Sequence, residues 1–228
     1  MQKIAELFDL SKTCAAELFT GCEYGFQVLP KIKDFIPALG ATLDSEEFDN
    51  PRPTVWIARD AQVAPTAYIG DNVIIDHGAE IRHCAFIRGN AIVGKGAVVG
   101  NSTELKNVVI FDAAQCPHYN YVGDSVLGYK AHMGAAAITS NVKGDKKPIT
   151  LRCGDVCIET GMKKIGAMLG DFAEIGCGSV LNPGTVIGRD TQVYPLTSVR
   201  GEIGARKIVK SMENIVEKKV SDGGTLLS

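Results

Sequence analysis

Starting at Ile57, an aliphatic residue returns at every sixth position: Ile57, Val63, Ile69, Ile75, Ile81, Ile87, Val93, Val99 and Leu105. A spacing of six fits neither the 3.6-residue turn of a helix nor the plain alternation of a two-sided strand. It fits a triangular coil whose three flat faces each use six residues, so that every sixth side chain points inward and coils stacked about 4.8 Å apart build an apolar column. Small residues follow several of these aliphatics, as in Ile69-Gly70, Val93-Gly94 and Val99-Gly100, where corners and close stacking penalise bulk. The phase slips between Leu105 and Met133, leaving Val122-Gly123, Leu127-Gly128 and Met133-Gly134 as its trace, and returns at Leu169, Ile175, Leu181, Ile187, Val193 and Val199. The pattern predicts an all-β chain, a parallel β-helix over about residues 54–204.

Three segments fall outside the period. Residues 1–53 carry helix-like stretches, with Ser11 as a cap before Ala15, Leu18 and Phe19, and end in the proline-rich entry Asn50-Pro51-Arg52-Pro53. Residues 139–150, TSNVKGDKKPIT, are polar, hold three lysines and read as a loop ejected from the coil. From Ala205 to Val220, the apolar positions Ile208, Val209, Met212, Ile215 and Val216 follow helical spacing, which predicts a C-terminal amphipathic helix and tail over 205–228.

Composition narrows the classes. With 228 residues, 45% hydrophobic and 22% charged, the chain can bury a substantial core. A formal net charge of -2 creates no field that would draw nucleic acid or an anionic membrane, so neither is an expected partner. No apolar run approaches the roughly 18 residues of a membrane span, and the N-terminus lacks the apolar core of a secretory signal; the expected location is the cytoplasm. Seven cysteines without framework spacing fit a reducing compartment in which cysteine serves as a small apolar residue. Cys153 and Cys157 have no second matching pair, so no metal site is assigned.

Polar residues at fixed spacing interrupt this regular lattice in three places: Gly100-Asn101-Ser102-Thr103-Glu104-Leu105-Lys106-Asn107, then His118-Tyr119-Asn120-Tyr121-Val122-Gly123-Asp124, then Ile138-Thr139-Ser140-Asn141 with the lysine-bearing loop. Through these motifs, residues 88–147 resemble the acetyltransferase domain of the bifunctional N-acetylglucosamine-1-phosphate uridyltransferase/glucosamine-1-phosphate N-acetyltransferases, and the acetyltransferase tails of related archaeal sugar-1-phosphate nucleotidyltransferases, within the hexapeptide-repeat acyltransferase family. The resemblance implies a left-handed β-helix, a homotrimer with sites between subunits, acetyl-CoA as co-substrate and an amino-sugar phosphate, glucosamine-1-phosphate foremost, as acceptor. It makes His118 the general base, Glu104 the group that orients the imidazole or holds the amine, and Asn141 a positioning residue. Arg88, Lys106, Tyr121 and Lys147 fall on phosphate-binding positions, and His132 stands near the sugar. The chemistry explains the types: an amino sugar arrives largely as an ammonium and must lose a proton before attack, and imidazole, with a reference pKa of about 6.5, accepts it near neutrality. A sugar phosphate needs charge-assisted donors.

The chain departs from that family at three positions. His132 replaces an asparagine, Val142 a loop tyrosine, and Pro117 precedes the base where the family tolerates glycine. No glycine-rich nucleotidyltransferase start is present, so nucleotidyl transfer is not expected. Two other readings remain open at this level. Four histidines, His77, His83, His118 and His132, admit a zinc lyase resembling the gamma-class carbonic anhydrases, although Gly123 occupies the position five after His118 where that family has a second ligand. The departures also admit a sugar-nucleotide-binding scaffold without turnover.

Overall fold

A computed structural model describes residues 1–154 and 156–219. The expected prism is there, with eight coils. On its first face the inward residues are Ile57, Ile75, Val93, Ile110, Leu127, Leu169, Ile187 and Ile203, each in parallel register with the next. The second face stacks Val63, Ile81, Val99, Cys116, Met133, Ile175, Val193 and Val209, and the third Ile69, Ile87, Leu105, Val122, Thr139, Leu181 and Val199. Apart from Thr139 and from Ile57, Val63 and Ile69 at the open end, these residues are buried in one apolar cluster. Cys116 holds an inward aliphatic position, so it serves there as a small apolar side chain.

The phase slip has a local cause. Four strands, Tyr68–Ile75, Phe86–Val93, Glu104–Ile110 and Tyr121–Leu127, run through the corner from the third face to the first. In the last two of these the corner is one residue shorter, because Leu105 to Ile110 and Val122 to Leu127 are each five positions apart where Ile87 to Val93 is six. The register accordingly jumps between Ile87 and Gly89, which now faces Lys106, and Arg88 is left without a partner in the next coil. At each of these corners the chain enters the left-handed region at Asn72, Asn90, Asn107 and Asp124, with φ of 54, 50, 55 and 48°. Short polar side chains tolerate that conformation best among residues with a Cβ.

Residues 1–50 form a layer on the outside of the first face. The short helix Ile4–Leu7, three 3₁₀ turns and the helix Ile32–Gly40 bury Leu7, Phe8, Phe19, Leu29, Ile32 and Ile36 against the outward aliphatics Ile74, Ile92, Val109, Val126, Met168 and Val186. Phe8, Phe19 and Phe111 meet with ring centroids 5.3 to 5.9 Å apart. The layer is also pinned by main-chain bonds from Asp112 N–H to Lys12 C=O (3.0 Å) and from Asp171 N–H to Leu7 C=O (2.9 Å). The first 3₁₀ turn is capped by Asp9, whose carboxylate accepts from Ser11 N–H; Ser11 is not itself the cap.

Two other expectations are corrected. The C-terminal segment is an antiparallel hairpin, Lys207–Ser211 with Asn214–Glu217, and not a helix. Val209 fills the last inward position of the second face, and its strand pairs with Gln192 and Val193, satisfying the open edge of the coil below. Ile208, Val209, Ile215 and Val216 are β-branched and suit that role better than a helix; residues 220–228 of the expected tail lie outside the described residues. The ejected loop also extends well past residue 150: the coil is not resumed until Ala167–Leu169, and the insertion carries its own hairpin, Thr150–Cys153 with Val156–Glu159. Ile149 and Leu151 of this insertion join the N-terminal layer's apolar cluster.

Phe111→Ala, which empties the centre of that aromatic trio, lowers unfolding stability by about 3–5 kcal/mol in urea titrations, whereas a change at exposed Leu196 (84% exposed) stays within about 0.5 kcal/mol. Burial pushes the thiols of Cys116 and Cys14 up to about 12. At pH 8 a thiol reagent therefore modifies exposed Cys84, Cys157 and Cys177 in the native protein, while Cys14 and Cys116 react only on unfolding, as peptide mass spectrometry of the labelled chain reads out.

Candidate active site

Glu104, Lys106, Tyr121 and Asn141, drawn from the three motifs, meet where the shortened corner, the third face and the ejected segment come together. Asp124 is the centre. It is 3% exposed, and its carboxylate accepts from Lys106 Nζ at 2.8 and 3.0 Å, Asn107 Nδ2 at 2.9 Å and Asn141 Nδ2 at 2.6 Å. Asn141 Nδ2 also donates to the Tyr121 hydroxyl at 3.2 Å. One coil earlier, Arg88 bonds the Glu104 carboxylate at 2.9 Å, and Glu104 stands in register with Tyr121. Arg88 and Lys106 border one cleft of about 340 Å³ together with Tyr68 and Asn90.

The local fold explains this convergence. Removing one residue from the corner sets Lys106 directly beside the bulge at Arg88, and the same shortening one coil later turns Asp124 toward Lys106. The corner asparagines form a ladder: Asn72 Nδ2 donates to Asn90 Oδ1 at 3.1 Å, and Asn107 Nδ2 donates to Asp124 Oδ1 at 2.9 Å. Asp124 thus continues a column of asparagines, with an added charge. The insertion leaves and re-enters at the same point, since Ile165 N–H donates to Asn141 C=O (3.1 Å) and Gly166 N–H to Asp124 C=O (2.7 Å). Thr139 takes an inward position at this coil, and its hydroxyl is satisfied by Gly123 N–H at 2.9 Å and by Ser125 Oγ at 3.1 Å.

Electrostatically the cluster is balanced, two cations against two carboxylates. The hydrogen bond to Glu104 holds the Arg88 guanidinium above its ordinary value, and burial, foremost, pushes the Tyr121 phenol above its own. Tyr121 therefore keeps its proton at neutral pH and presents a hydroxyl donor.

His118 sits on the same coil as Tyr121 but around the corner, at the end of the second-face strand Gln115–His118. Its side chain is exposed, and its imidazole takes no hydrogen bond from a described residue; within the chain Glu104 is held by Arg88 and not by His118. Its backbone is fixed firmly. His118 N–H donates to Asn120 Oδ1 at 3.1 Å, while the buried Asn120 amide donates to the carbonyls of Gly134 (2.8 Å) and Ala137 (3.0 Å). Pro117 lies directly over Gly100, where an added Cβ would fall 1.5 Å from the proline carbonyl oxygen, so the glycine is what lets this corner stack. His132 lies on the middle of the second face, bonded through Nδ1 to Glu174 at 2.9 Å, and Lys147 is exposed on the insertion. The chain therefore gathers Arg88, Glu104, Lys106, Tyr121 and Asn141, and leaves His118, His132 and Lys147 apart from them.

Asp124 is the residue that sequence reasoning missed, although it closes one of the motifs. The signal was present in the recurrence of Asn or Asp at 72, 90, 107 and 124, one per coil. The four histidines are dispersed: His77 bonds Asp60 (3.0 Å), His83 bonds Thr66 (2.9 Å), and among the described residues no three His, Cys, Asp or Glu side chains converge on a metal-sized point. Among the described residues no helix is long and apolar enough to cross a membrane.

A family model described as the GMPPB C-terminal domain matches residues 69–212. A bifunctional sugar-1-phosphate nucleotidylyltransferase/acetyltransferase of Sulfurisphaera tokodaii is 32% identical over 111 residues, covering 49% of this chain and 28% of the relative. The bifunctional protein GlmU of Methanococcus maripaludis is 31% identical over 121 residues, 53% of this chain and 29% of the relative. The match thus spans under a third of the length of either relative. Among solved structures, PerB from Caulobacter crescentus, in complex with CoA and GDP-perosamine, aligns at 19% identity with a TM-score of 0.27, over 68% of this chain and 53% of that one.

Replacing Asp124 with Asn strips the charge from three donors and leaves Lys106 without its buried partner. Urea unfolding of Asp124→Asn shows a loss of about 2–3 kcal/mol, and Asn107→Ala, which removes one neutral donor, a smaller one of about 1 kcal/mol.

Proposed function

The chain belongs to the GMPPB C-terminal domain family, and from that premise we propose that it transfers an acetyl group from acetyl-CoA to the amine of an amino-sugar phosphate, with glucosamine-1-phosphate the first acceptor to test. The observation that carries this reading is the convergence on one corner of Arg88, Glu104, Lys106, Tyr121 and Asn141, five of the eight residues that the acetyltransferase resemblance selected from separated parts of the chain. The names of the relatives from Sulfurisphaera tokodaii and Methanococcus maripaludis support the same class of chemistry.

In the proposed reaction His118 takes a proton from the substrate ammonium. The freed amine attacks the thioester carbonyl carbon, a C–N bond forms, the C–S bond breaks, and the second proton lost by the nitrogen passes to the departing thiolate, so that CoA leaves as its thiol. An exposed imidazole on a firmly fixed backbone suits a base that must meet an incoming amine. Arg88, Lys106, the Tyr121 hydroxyl and Lys147 offer the donors for the phosphate; because Glu104 and Asp124 already neutralise the first two, Lys147 on the insertion supplies the surplus positive charge. Asn141 holds Tyr121 and Asp124 in place. His132, bonded to Glu174, would contact the sugar from the second face, and a homotrimer, with a neighbouring prism against the exposed faces, would bring that face and the Asp124 corner of two chains into one site. The cytoplasm, where acetyl-CoA is made available, is the proposed location.

The test is CoA release measured with a panel of amino-sugar phosphates. Wild-type protein releases CoA with at least one of them, and His118→Ala lowers kcat by about 10²–10⁴-fold while its circular dichroism melt is unchanged. Full turnover by His118→Ala would overturn the assignment of the base, and no release with any acceptor would overturn the activity.

A further inference from the structure

A cavity of about 570 Å³ opens between the ejected segment and the late coils, and none of the Asp124-corner residues lines it. Its floor is made by Ile149, Leu151 and Pro183, and three cations and one carboxylate stand around it, Lys143, Arg152 and Arg200 with Asp145. Lys143 is paired with Asp145 at 3.3 Å. The arginines differ from most others in the chain. Arg52, Arg59, Arg82, Arg88 and Arg189 each meet a carboxylate, whereas no described carboxylate lies within ion-pair distance of Arg152 or Arg200. They also come from separate parts of the chain, Arg152 from the insertion hairpin strand Thr150–Cys153 and Arg200 from the residue after the coil strand Ser198–Val199.

A guanidinium without a carboxylate presents its planar fork of N–H donors, which matches a phosphate bidentately. Two such forks over an apolar floor, in a space of the size that small organic ligands fill, call for a ligand with two anionic groups and an apolar body. Packing holds the floor in place: an added Cβ at Gly184 would fall 2.4 Å from Leu151 Cδ2, so the glycine is what lets the hairpin settle against the coil. We propose that this cleft is a second anion site that binds the diphosphate of an organic ligand, with Arg152 and Arg200 gripping the phosphates and Ile149 and Leu151 lying under its apolar part. A bound diphosphate would then tie the insertion to the prism beside the site that Asn141 closes.

Diphosphates of this kind occur in CoA and in nucleoside diphosphates. Calorimetric titration of the full chain with CoA, with uridine diphosphate and with inorganic pyrophosphate distinguishes them. Wild-type protein binds at least one, and Arg152→Gln and Arg200→Gln each weaken that binding about tenfold or more. Arg206→Gln, a change to an exposed arginine outside the cleft, leaves it unaltered. Loss confined to CoA assigns the site to the coenzyme, loss confined to uridine diphosphate assigns it to a nucleotide-bearing ligand, and loss of all three assigns it to the diphosphate itself. The idea is overturned if none of the three binds, or if both cleft variants bind as wild type with unchanged melting curves. Because the readout is binding, His118→Ala should titrate as wild type, so failure of the proposed turnover and failure of this site are told apart.

Discussion

Every coil of the prism must set its inward side chains directly over those of the coil below, because the strands hydrogen-bond along the axis at a fixed spacing of about 4.8 Å and leave no slack for a side chain of the wrong size or phase. This stacking fixes the column of Val, Ile and Leu on three faces, and it also determines what a single-residue deletion does. A residue removed from one corner cannot be absorbed by sliding the strands. It bulges the neighbouring coil at Arg88 and draws Lys106 alongside. The polar cluster is therefore a direct product of the packing constraint: where the lattice shortens, the coil before it leaves a side chain unmatched, and charged groups collect there.

Asp124 shows how the constraint is turned to use. Its corner position already asks for a short polar residue in the left-handed region, a role filled by asparagine at 72, 90 and 107. With a carboxylate in that place, the same geometry gathers one cation and two amides from two segments, the strand Glu104–Ile110 and the start of the insertion. A carboxylate that is 3% exposed is costly unless so surrounded, which explains why Lys106, Asn107 and Asn141 are bound so closely to it. One side chain thus joins two coils and an excursion of the chain into a single unit.

The N-terminal layer answers a different need. A β-helix exposes the outward residues of each face, and on the first face these are Ile74, Ile92, Val109, Val126, Met168 and Val186, too apolar to leave in water. Residues 1–50 cover them with their own apolar side chains, so one face is sealed within the chain. The second face carries Gln62, Glu80, Gln115 and Gln192 outward, and the third carries Tyr68 and Phe86 in edge contact at 5.5 Å. The faces available to another molecule are the ones that bear His118, His132, Glu104 and Tyr121.

The six-residue period by itself determined the parallel β-helix, most of its inward residues outside the slip and the point where the chain is ejected, because in a stacked coil the inward condition repeats once per face and is written directly into the order of residues. The motifs likewise named four side chains that meet, Glu104, Lys106, Tyr121 and Asn141. Tertiary structure alone decided that Asp124 binds them together, that His118 and His132 lie around the corner from them, that residues 1–50 seal a face, and that the C-terminal segment, helical in its spacing, is a hairpin. Local spacing at Ile208, Val209, Ile215 and Val216 suits either element; the unpaired edge of the last coil, which lies far away in sequence at Gln192 and Val193, selects the strand. Which inward side chain stacks on which was legible outside the slip, since the period carries it. Whatever depends on an open edge, an uncovered face or the far end of an insertion was not, because the partner that satisfies it is set by how the whole chain closes on itself.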